Sequence, residues 1–140
     1  MDLLFKGNQP FKANPRDAGY DLIADLPEYR YIVAPGAFAV IATGTYISLP
    51  PDYAGLVLPR SGLAAKHGVT VLNAPGLIDC GYTGEIKVVL INHGHQEFYV
   101  KNGDRIAQLM ITRHETPSWV RTLDFEETQR GDNGFGSSGV

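Results

Sequence analysis

The most constraining feature of this sequence is the turn-rich stretch 73–85, which reads Asn-Ala-Pro-Gly-Leu-Ile-Asp-Cys-Gly-Tyr-Thr-Gly-Glu. Its glycines and proline require several sharp turns. Apolar runs rich in β-branched residues flank it at 69–72 and 86–91, which predicts a wide β-hairpin. The hairpin holds one carboxylate, Asp79, and one aromatic ring, Tyr82, and offers backbone N–H and C=O groups to a flat polar ring. The alternative interpretation is a glycine-rich hairpin of an all-β domain that binds no ligand.

The rest of the chain is divided into short β-rich segments by 16 Gly and 9 Pro. These segments contain many Val, Ile, Tyr and Thr residues and are found at 29–33, 38–41, 45–49, 55–58 and 88–91. The pattern favours an all-β fold of short strands, a sandwich, barrel or jelly roll. A further strand is predicted at 119–123.

Composition excludes several classes of function. With 140 residues the chain suits one domain, and its net charge of −3 without a basic run argues against broad capture of nucleic acid. No apolar stretch is long enough to span a bilayer, and residues 1–11 lack the pattern of a signal peptide. Cys80 is the sole cysteine, which excludes an intrachain disulfide and argues against a cysteine-based zinc site. A reducing, cytoplasmic setting is expected.

Two segments in the first half carry charged groups next to glycine. In the segment 17–24, Asp17 and Asp21 could hold a hydrated Mg²⁺ through water, or Asp17 could bond its own backbone in a turn. The segment 59–68 predicts one short helix, with Ser61 as N-cap and Gly68 as a left-handed end.

The first turn of that helix favours an anion. Arg60 and Ser61 lie beside free backbone N–H groups, and Gly62 would let a ligand approach closely. An ordinary capped helix with a surface arginine is the alternative.

Two further segments occur in the second half. Gln108 interrupts an apolar run, so its amide must bond backbone or face a ligand. The glycine-rich end 130–140 suits a mobile flap, with Arg130 on a phosphate and Phe135 on a base, or a disordered tail. His93 and His95 lack further metal ligands and predict a solvated loop.

In order along the chain, these segments resemble the five motifs of the trimeric dUTPase family. The matching residues are Asp17-Ala18-Gly19-Tyr20-Asp21-Leu22, Pro59-Arg60-Ser61-Gly62-Leu63-Ala64, Gly76-Leu77-Ile78-Asp79 with Gly81-Tyr82 and Gly84-Glu85, Gly103-Asp104-Arg105-Ile106-Ala107-Gln108-Leu109, and Arg130-Gly131 with Gly134-Phe135-Gly136-Ser137-Ser138-Gly139. The resemblance implies a homotrimeric, distorted jelly roll with one short helix over residues 1–125 and a flexible flap over 126–140. It also implies that dUTP is hydrolysed with Mg²⁺ to dUMP and diphosphate in sites shared by three subunits. No nucleic acid, membrane or regulatory protein partner is implied.

The resemblance also implies a role for each site residue. Asp79 would activate the attacking water, Tyr82 would pack under the deoxyribose, and Asp21 would meet Mg²⁺ through water. The remaining residues would bind the nucleotide: Asn73, Leu77 and Ile78 at uracil, Lys87 near the nucleotide, Arg60, Ser61, Gly62 and Gln108 at the phosphates, and Arg130, Phe135 and Gly136 in the flap.

Two other functions are compatible with the same fold. A dCTP deaminase-like enzyme would need a different acid–base residue in the hairpin, and Asp79 with Tyr82 argues against it. A regulatory protein on a dUTPase scaffold is not excluded. Arg16 and Thr83 depart from the family pattern, which often has a small residue and an arginine at these positions.

Overall fold

The computed structural model describes all 140 residues and consists mainly of short strands. The elements are β1 (Leu4–Gly7), β2 (Tyr20–Ile23), β3 (Arg30–Val33), β4 (Phe38–Ser48), β5 (Tyr53–Leu58), α1 (Ser61–His67), β6 (Val69–Val71), β7 (Gly76–Ile78), β8 (Glu85–Asn92), β9 (Phe98–Lys101) and β10 (Arg105–Arg113). Two four-stranded sheets have the orders β1-β4-β8-β6 and β2-β10-β5-β7, and β3 pairs with β9. The all-β fold with one short helix is confirmed. No helix has the length and apolar character needed to cross a bilayer.

Side chains that alternate along the strands build the core between the sheets. In β4, Ala39, Ile41 and Ile47 point inward, and in β8 Ile86, Val88 and Leu90 do the same. This two-residue period places apolar side chains on one face of each strand. The antiparallel pairing of β4 with β8 therefore forms the central part of the sheet on which the predicted hairpin is mounted.

The hairpin is confirmed, but its insert is not only a loop. Strands β6 and β8 pair antiparallel, with Val69 opposite Asn92 and Val71 opposite Leu90. Between them the chain leaves this sheet, and β7 pairs with β5 in the other sheet. The insert thus joins the two sheets, which fixes the position of the residues that follow β7.

Two local predictions are wrong. The N-cap of α1 is Arg60, whose extended backbone (φ −95°, ψ 129°) precedes the helix, and no side chain caps it. Ser61 is therefore the first helical residue. Residues 119–123 form no strand, because no other segment of the chain pairs with them. The predicted helix end is confirmed, since Gly68 adopts the left-handed conformation (φ 68°).

Candidate active site

A polar cavity of about 360 Å³ lies where β2, β10 and the start of α1 meet. Strand β10 is central: Gln108 lies opposite Asp21 of β2 on one side and opposite Leu58 of β5 on the other. Leu58 is followed closely by Arg60, so this register brings three segments that are far apart in sequence to one place. Of the residues predicted to bind phosphate or Mg²⁺, the cavity is lined by Asp21, Arg60, Ser61, Gly62 and Gln108.

The carboxylate of Asp21 is the electrostatic centre of this cavity. Its Oδ1 lies 3.3 Å from Nε of Arg60, and its Oδ2 lies 3.5 Å from Nη1 of Arg105. The side chain of Asp21 is only 13% exposed. Arg60 also donates from Nη1 to the backbone carbonyl of Arg105 at 3.1 Å. Two guanidinium groups are thus gathered around one carboxylate.

Gln108 connects the cavity wall to the chain that leads into α1. Its Nε2 donates to the carbonyl of Pro59 at 2.9 Å, so the amide has the backbone partner considered from the sequence. It also lines the cavity, so the two interpretations are compatible. A β-carbon added at Gly19 would collide with the carboxamide oxygen of Gln108. Glycine is therefore required at position 19 for this side chain to keep its place.

Asp17 forms the turn that was one of its two interpretations. Its Oδ2 accepts hydrogen bonds from the backbone N–H of Asn14 at 3.0 Å and from the side-chain amide of Asn14 at 3.2 Å. Asp17 also lines the cavity. Its carboxylate is less available to a ligand because part of its accepting capacity is already used.

The hairpin presents Asp79 directly after β7. Asp79 is exposed, and its carboxylate makes no hydrogen bond or ion pair within the chain. Its backbone carbonyl accepts from the N–H of Tyr82 at 3.0 Å, which closes the turn between the two residues. Asn73 and Leu77 are also exposed, and Ile78 is half-buried against β5.

Tyr82 is held by the base of the hairpin. Its hydroxyl donates to the backbone carbonyl of Glu85 at 2.7 Å. Oε1 of Glu85 in turn accepts from the N–H of Gly44 at 2.9 Å, at the irregularity where β4 departs from regular pairing with β8. Tyr82 is therefore tied to the sheet through Glu85. Lys87 follows on β8, exposed and opposite Ala42.

The C-terminal segment lies apart from both groups. From residue 115 onward every hydrogen bond is local to the segment. Nε of Arg130 donates to the carbonyl of Asn133 at 2.9 Å, Phe135 is fully exposed, and Gly136 has φ 87°. The predicted site residues of a single chain therefore fall into three separate groups: the cavity, the hairpin and the C-terminal segment.

The sequence pattern indicates no role for Arg105, but the structure places its guanidinium beside Asp21 and the residue on the cavity wall. Its only signal was an arginine directly after a Gly-Asp turn. Glu85 also has a role that its own segment does not indicate. Its carboxylate accepts from the N–H of Gly44, and its backbone carbonyl accepts from the hydroxyl of Tyr82.

Titratable groups outside these three groups form no second catalytic arrangement. His93 and His95 are exposed, and no group of three or more His, Cys, Asp or Glu side chains is placed to bind a metal. On β9, the hydroxyl of Tyr99 donates to Glu97 at 2.8 Å, and this hydrogen bond raises the pKa of Tyr99. That pair does not line the polar cavity.

Comparison with known proteins gives one consistent result. The family model for dUTPase matches residues 6–139. The deoxyuridine 5'-triphosphate nucleotidohydrolase of Rickettsia typhi is 47% identical over 136 residues, covering 97% of this chain and 91% of the relative. That of Rickettsia massiliae is also 47% identical with the same coverage.

Solved structures agree in fold. The dUTPase of Staphylococcus bacteriophage 80alpha with dUpNHpp is 29% identical, with a TM-score of 0.84 and 99% coverage of both chains. A variant dUTPase of phage phi11 of S. aureus, described for its coordination of a structural Mg(II) ion, is 24% identical with a TM-score of 0.81 and supports the fold alone. It covers 91% of this chain and all of that one. Because the family model matches nearly the whole length, this chain belongs to the dUTPase family.

Proposed function

We propose that this protein is a dUTP diphosphatase, which converts dUTP and water to dUMP and diphosphate. The observation that carries the proposal is the convergence of Asp21, Arg60, Ser61, Gly62 and Gln108 on one polar cavity, together with a separate hairpin that exposes Asp79 beside Tyr82. The polar cavity offers the positive and polar groups that stabilise a polyphosphate, and the exposed carboxylate of the hairpin can position and activate a water molecule. The dUTPase relatives named above support this function.

The free carboxylate of Asp79 supplies the base. In the proposed step, Asp79 accepts a proton from water as the water oxygen bonds to the α-phosphorus. The bond from that phosphorus to the bridging oxygen breaks, and diphosphate leaves with the electron pair. A positioned base of this kind contributes roughly 10²–10⁴ in rate. The bacteriophage 80alpha relative was solved with dUpNHpp, a dUTP analogue with an imido group, which is consistent with a site for this nucleotide.

The hairpin supplies recognition of the base and sugar. Asn73 and the backbone of Leu77 and Ile78 bond uracil, and the Tyr82 ring packs under the deoxyribose. Uracil N3–H is a donor, whereas cytosine N3 is an acceptor. Cytosine would therefore leave buried polar groups unpaired, which can reject an analogue by roughly 10⁴–10⁵. The ring of Tyr82 leaves no space for a 2′-hydroxyl, and Lys87 lies near the nucleotide.

The cavity supplies the phosphate contacts and one carboxylate for Mg²⁺. The chain offers no cage of three metal ligands, and Mg²⁺ commonly keeps several waters and uses substrate phosphates with one or two carboxylates. The mostly buried carboxylate of Asp21 in the cavity wall could meet such a cation through water. The bound cation would offset part of the phosphate charge. Arg60, Ser61, Gly62 and Gln108 hold the phosphates.

We further propose a homotrimer with three shared sites. The cavity would come from one subunit, the hairpin from a second, and the flap with Arg130, Phe135 and Gly136 from a third. Two features support association: the three groups are separate within one chain, and Trp119, Leu123 and Phe125 are between 86% and 104% exposed. Exposed apolar side chains in one segment favour burial against another copy.

In a cell, this activity limits uracil in DNA and supplies dUMP for thymidylate synthesis. We also propose a cytoplasmic location, on the basis of the cysteine usage alone.

The direct test measures release of diphosphate from dUTP, UTP and dCTP with Mg²⁺. We expect release from dUTP and little from the other two nucleotides. Ammonia from dCTP would instead favour the deaminase, and absence of diphosphate release from dUTP would contradict the proposal.

A further inference from the structure

Arg105 is the charged cavity residue to which neither the sequence nor the proposed mechanism assigns a role. It is the first residue of β10, and a pairing irregularity with β2 falls between Arg105 and Ala107. Its side chain lines the cavity together with Ser61 and Gly62. An arginine at this place brings a second guanidinium to the proposed phosphate site.

The two arginines on Asp21 are held differently. Arg60 has two anchors, the Asp21 carboxylate at 3.3 Å and the carbonyl of Arg105 at 3.1 Å, and its side chain is 29% exposed. The Arg105 guanidinium has a single contact, 3.5 Å to Asp21, and its side chain is 45% exposed. A guanidinium has five N–H donors, so most of those on Arg105 remain available.

The charges around the cavity indicate that Arg105 can change partner when nucleotide binds. The cavity wall carries two carboxylates, Asp17 and Asp21, and two guanidinium groups. Asp17 accepts its hydrogen bonds from Asn14 and forms no ion pair, whereas Asp21 pairs with both arginines. Hydrated Mg²⁺ at Asp21 would offset the charge that holds Arg105 at 3.5 Å, and the phosphates of a bound nucleotide would offer Arg105 other anionic partners in the same cavity.

We propose that Arg105 binds the phosphates of the nucleotide, exchanging its contact with Asp21 for phosphate oxygens. This inference rests on the proposed dUTP diphosphatase function. The ligand is the polyphosphate rather than the base or sugar, because the hairpin residues assigned to uracil and deoxyribose do not line this cavity. The backbone carbonyl that holds Arg60 belongs to the main chain, so substitution of the Arg105 side chain leaves that hydrogen bond possible.

The test compares Arg105→Gln and Arg105→Lys with the unchanged protein, using calorimetric binding of inorganic diphosphate and of dUMP, each with Mg²⁺. We expect Arg105→Gln to weaken diphosphate binding by about tenfold or more, as for loss of a charge-assisted hydrogen bond. Arg105→Lys should lose less, because it keeps the charge but not the guanidinium fork. Binding of dUMP should change less than diphosphate binding in both variants.

The matched control is Arg113→Gln, an exposed arginine at the other end of β10 whose guanidinium lies over the ring of Tyr53. It should leave diphosphate binding unchanged. Unchanged diphosphate affinity in Arg105→Gln, or equal weakening of diphosphate and dUMP, would overturn the assignment. If Arg105→Gln does not fold, Arg105→Lys decides: several-fold weaker diphosphate binding supports the proposal and full affinity overturns it. Failure of the unchanged protein to hydrolyse dUTP would instead contradict the proposed function.

Discussion

The ring of Tyr82 occupies the space into which Gly84 would project a side chain. A β-carbon built on Gly84 would lie 2.8 Å from Cζ of Tyr82 and 2.7 Å from its hydroxyl oxygen. Contacts this short force one of the two residues to move. Gly84 is thus required by its aromatic neighbour, and the hydroxyl bond from Tyr82 to Glu85 fixes the ring over it.

We therefore expect Gly84→Ala to displace the Tyr82 ring and open space beside the deoxyribose. The ratio of kcat/KM for dUTP over UTP should fall by about tenfold. Steady-state kinetics with both nucleotides measure this ratio. Gly81→Ala is the control in the same hairpin, since no atom beyond the adjacent residues lies within 4 Å of its added β-carbon. An unchanged ratio in Gly84→Ala would mean that Tyr82 does not set sugar selectivity.

The role of Asp79 predicts a separation of binding from turnover. Asp79→Asn keeps the shape of the side chain but cannot accept the proton, so kcat should fall by roughly 10²–10⁴. Affinity for dUpNHpp should change little, because the carboxylate has no structural partner to lose. Rapid-quench kinetics and calorimetry measure the two quantities. Asp2→Asn, at an exposed carboxylate without a hydrogen bond or ion pair, is the control, and retained turnover in Asp79→Asn would refute the assignment.

Asn92 predicts a large effect on stability. Its fully buried amide donates to the carbonyls of Val33 and Gln96 at 2.9 and 2.8 Å, and its oxygen accepts from the N–H of Gly94 at 2.9 Å. Asn92→Ala leaves three backbone groups without these partners. We expect a loss of about 2–4 kcal/mol in the free energy of unfolding.

Urea titration at fixed protein concentration measures this loss. His93→Ala, at the exposed neighbouring position, should change the free energy of unfolding by less than about 0.5 kcal/mol. A loss below about 1 kcal/mol in Asn92→Ala would show that water replaces the lost hydrogen bonds.

The C-terminal segment predicts a kinetic effect without a structural one. Because its hydrogen bonds are local, deletion of residues 130–140 should leave the unfolding transition unchanged. Turnover of dUTP should fall, because the deletion eliminates the proposed contacts of Arg130 with the phosphates and of Phe135 with the base. Thermal unfolding and steady-state kinetics test both expectations. Unchanged turnover would contradict the flap.

The sequence predicted those features that depend on neighbouring residues. The flanks of the hairpin and the left-handed Gly68 follow from local composition, and both are present in the structure. The pairing of β7 with β5 was not foreseen, because a strand's partner can lie far along the chain. For the same reason residues 119–123 were wrongly predicted as a strand: their composition suits one, but the chain offers no partner.

In the cavity, too, local features were predictable from the sequence, whereas features that depend on distant segments were not. Asp21, Arg60 and Gln108 were each identified from their own segments, whereas their shared location depends on the register of β10 with β2 and β5. Ser61 was misplaced as N-cap because Arg60, whose backbone is extended, is the N-cap, and Ser61 is already the first residue of the helix. The sequence could not indicate a role for Arg105, because that role depends on its ion pair with Asp21, which is distant in sequence.

The shared site is the central claim, and mixing two defective variants tests it most directly. Asp79→Asn lacks the base in the hairpin, and the deletion of residues 130–140 lacks the flap. Coexpression with different affinity tags allows trimers that contain both chains to be purified. If hairpin and flap come from different subunits, each purified trimer that contains both chains should regain about one site in three, well above either variant alone. Mixed trimers with no more activity than the separate variants, or a fully active monomer in ultracentrifugation, would contradict the claim.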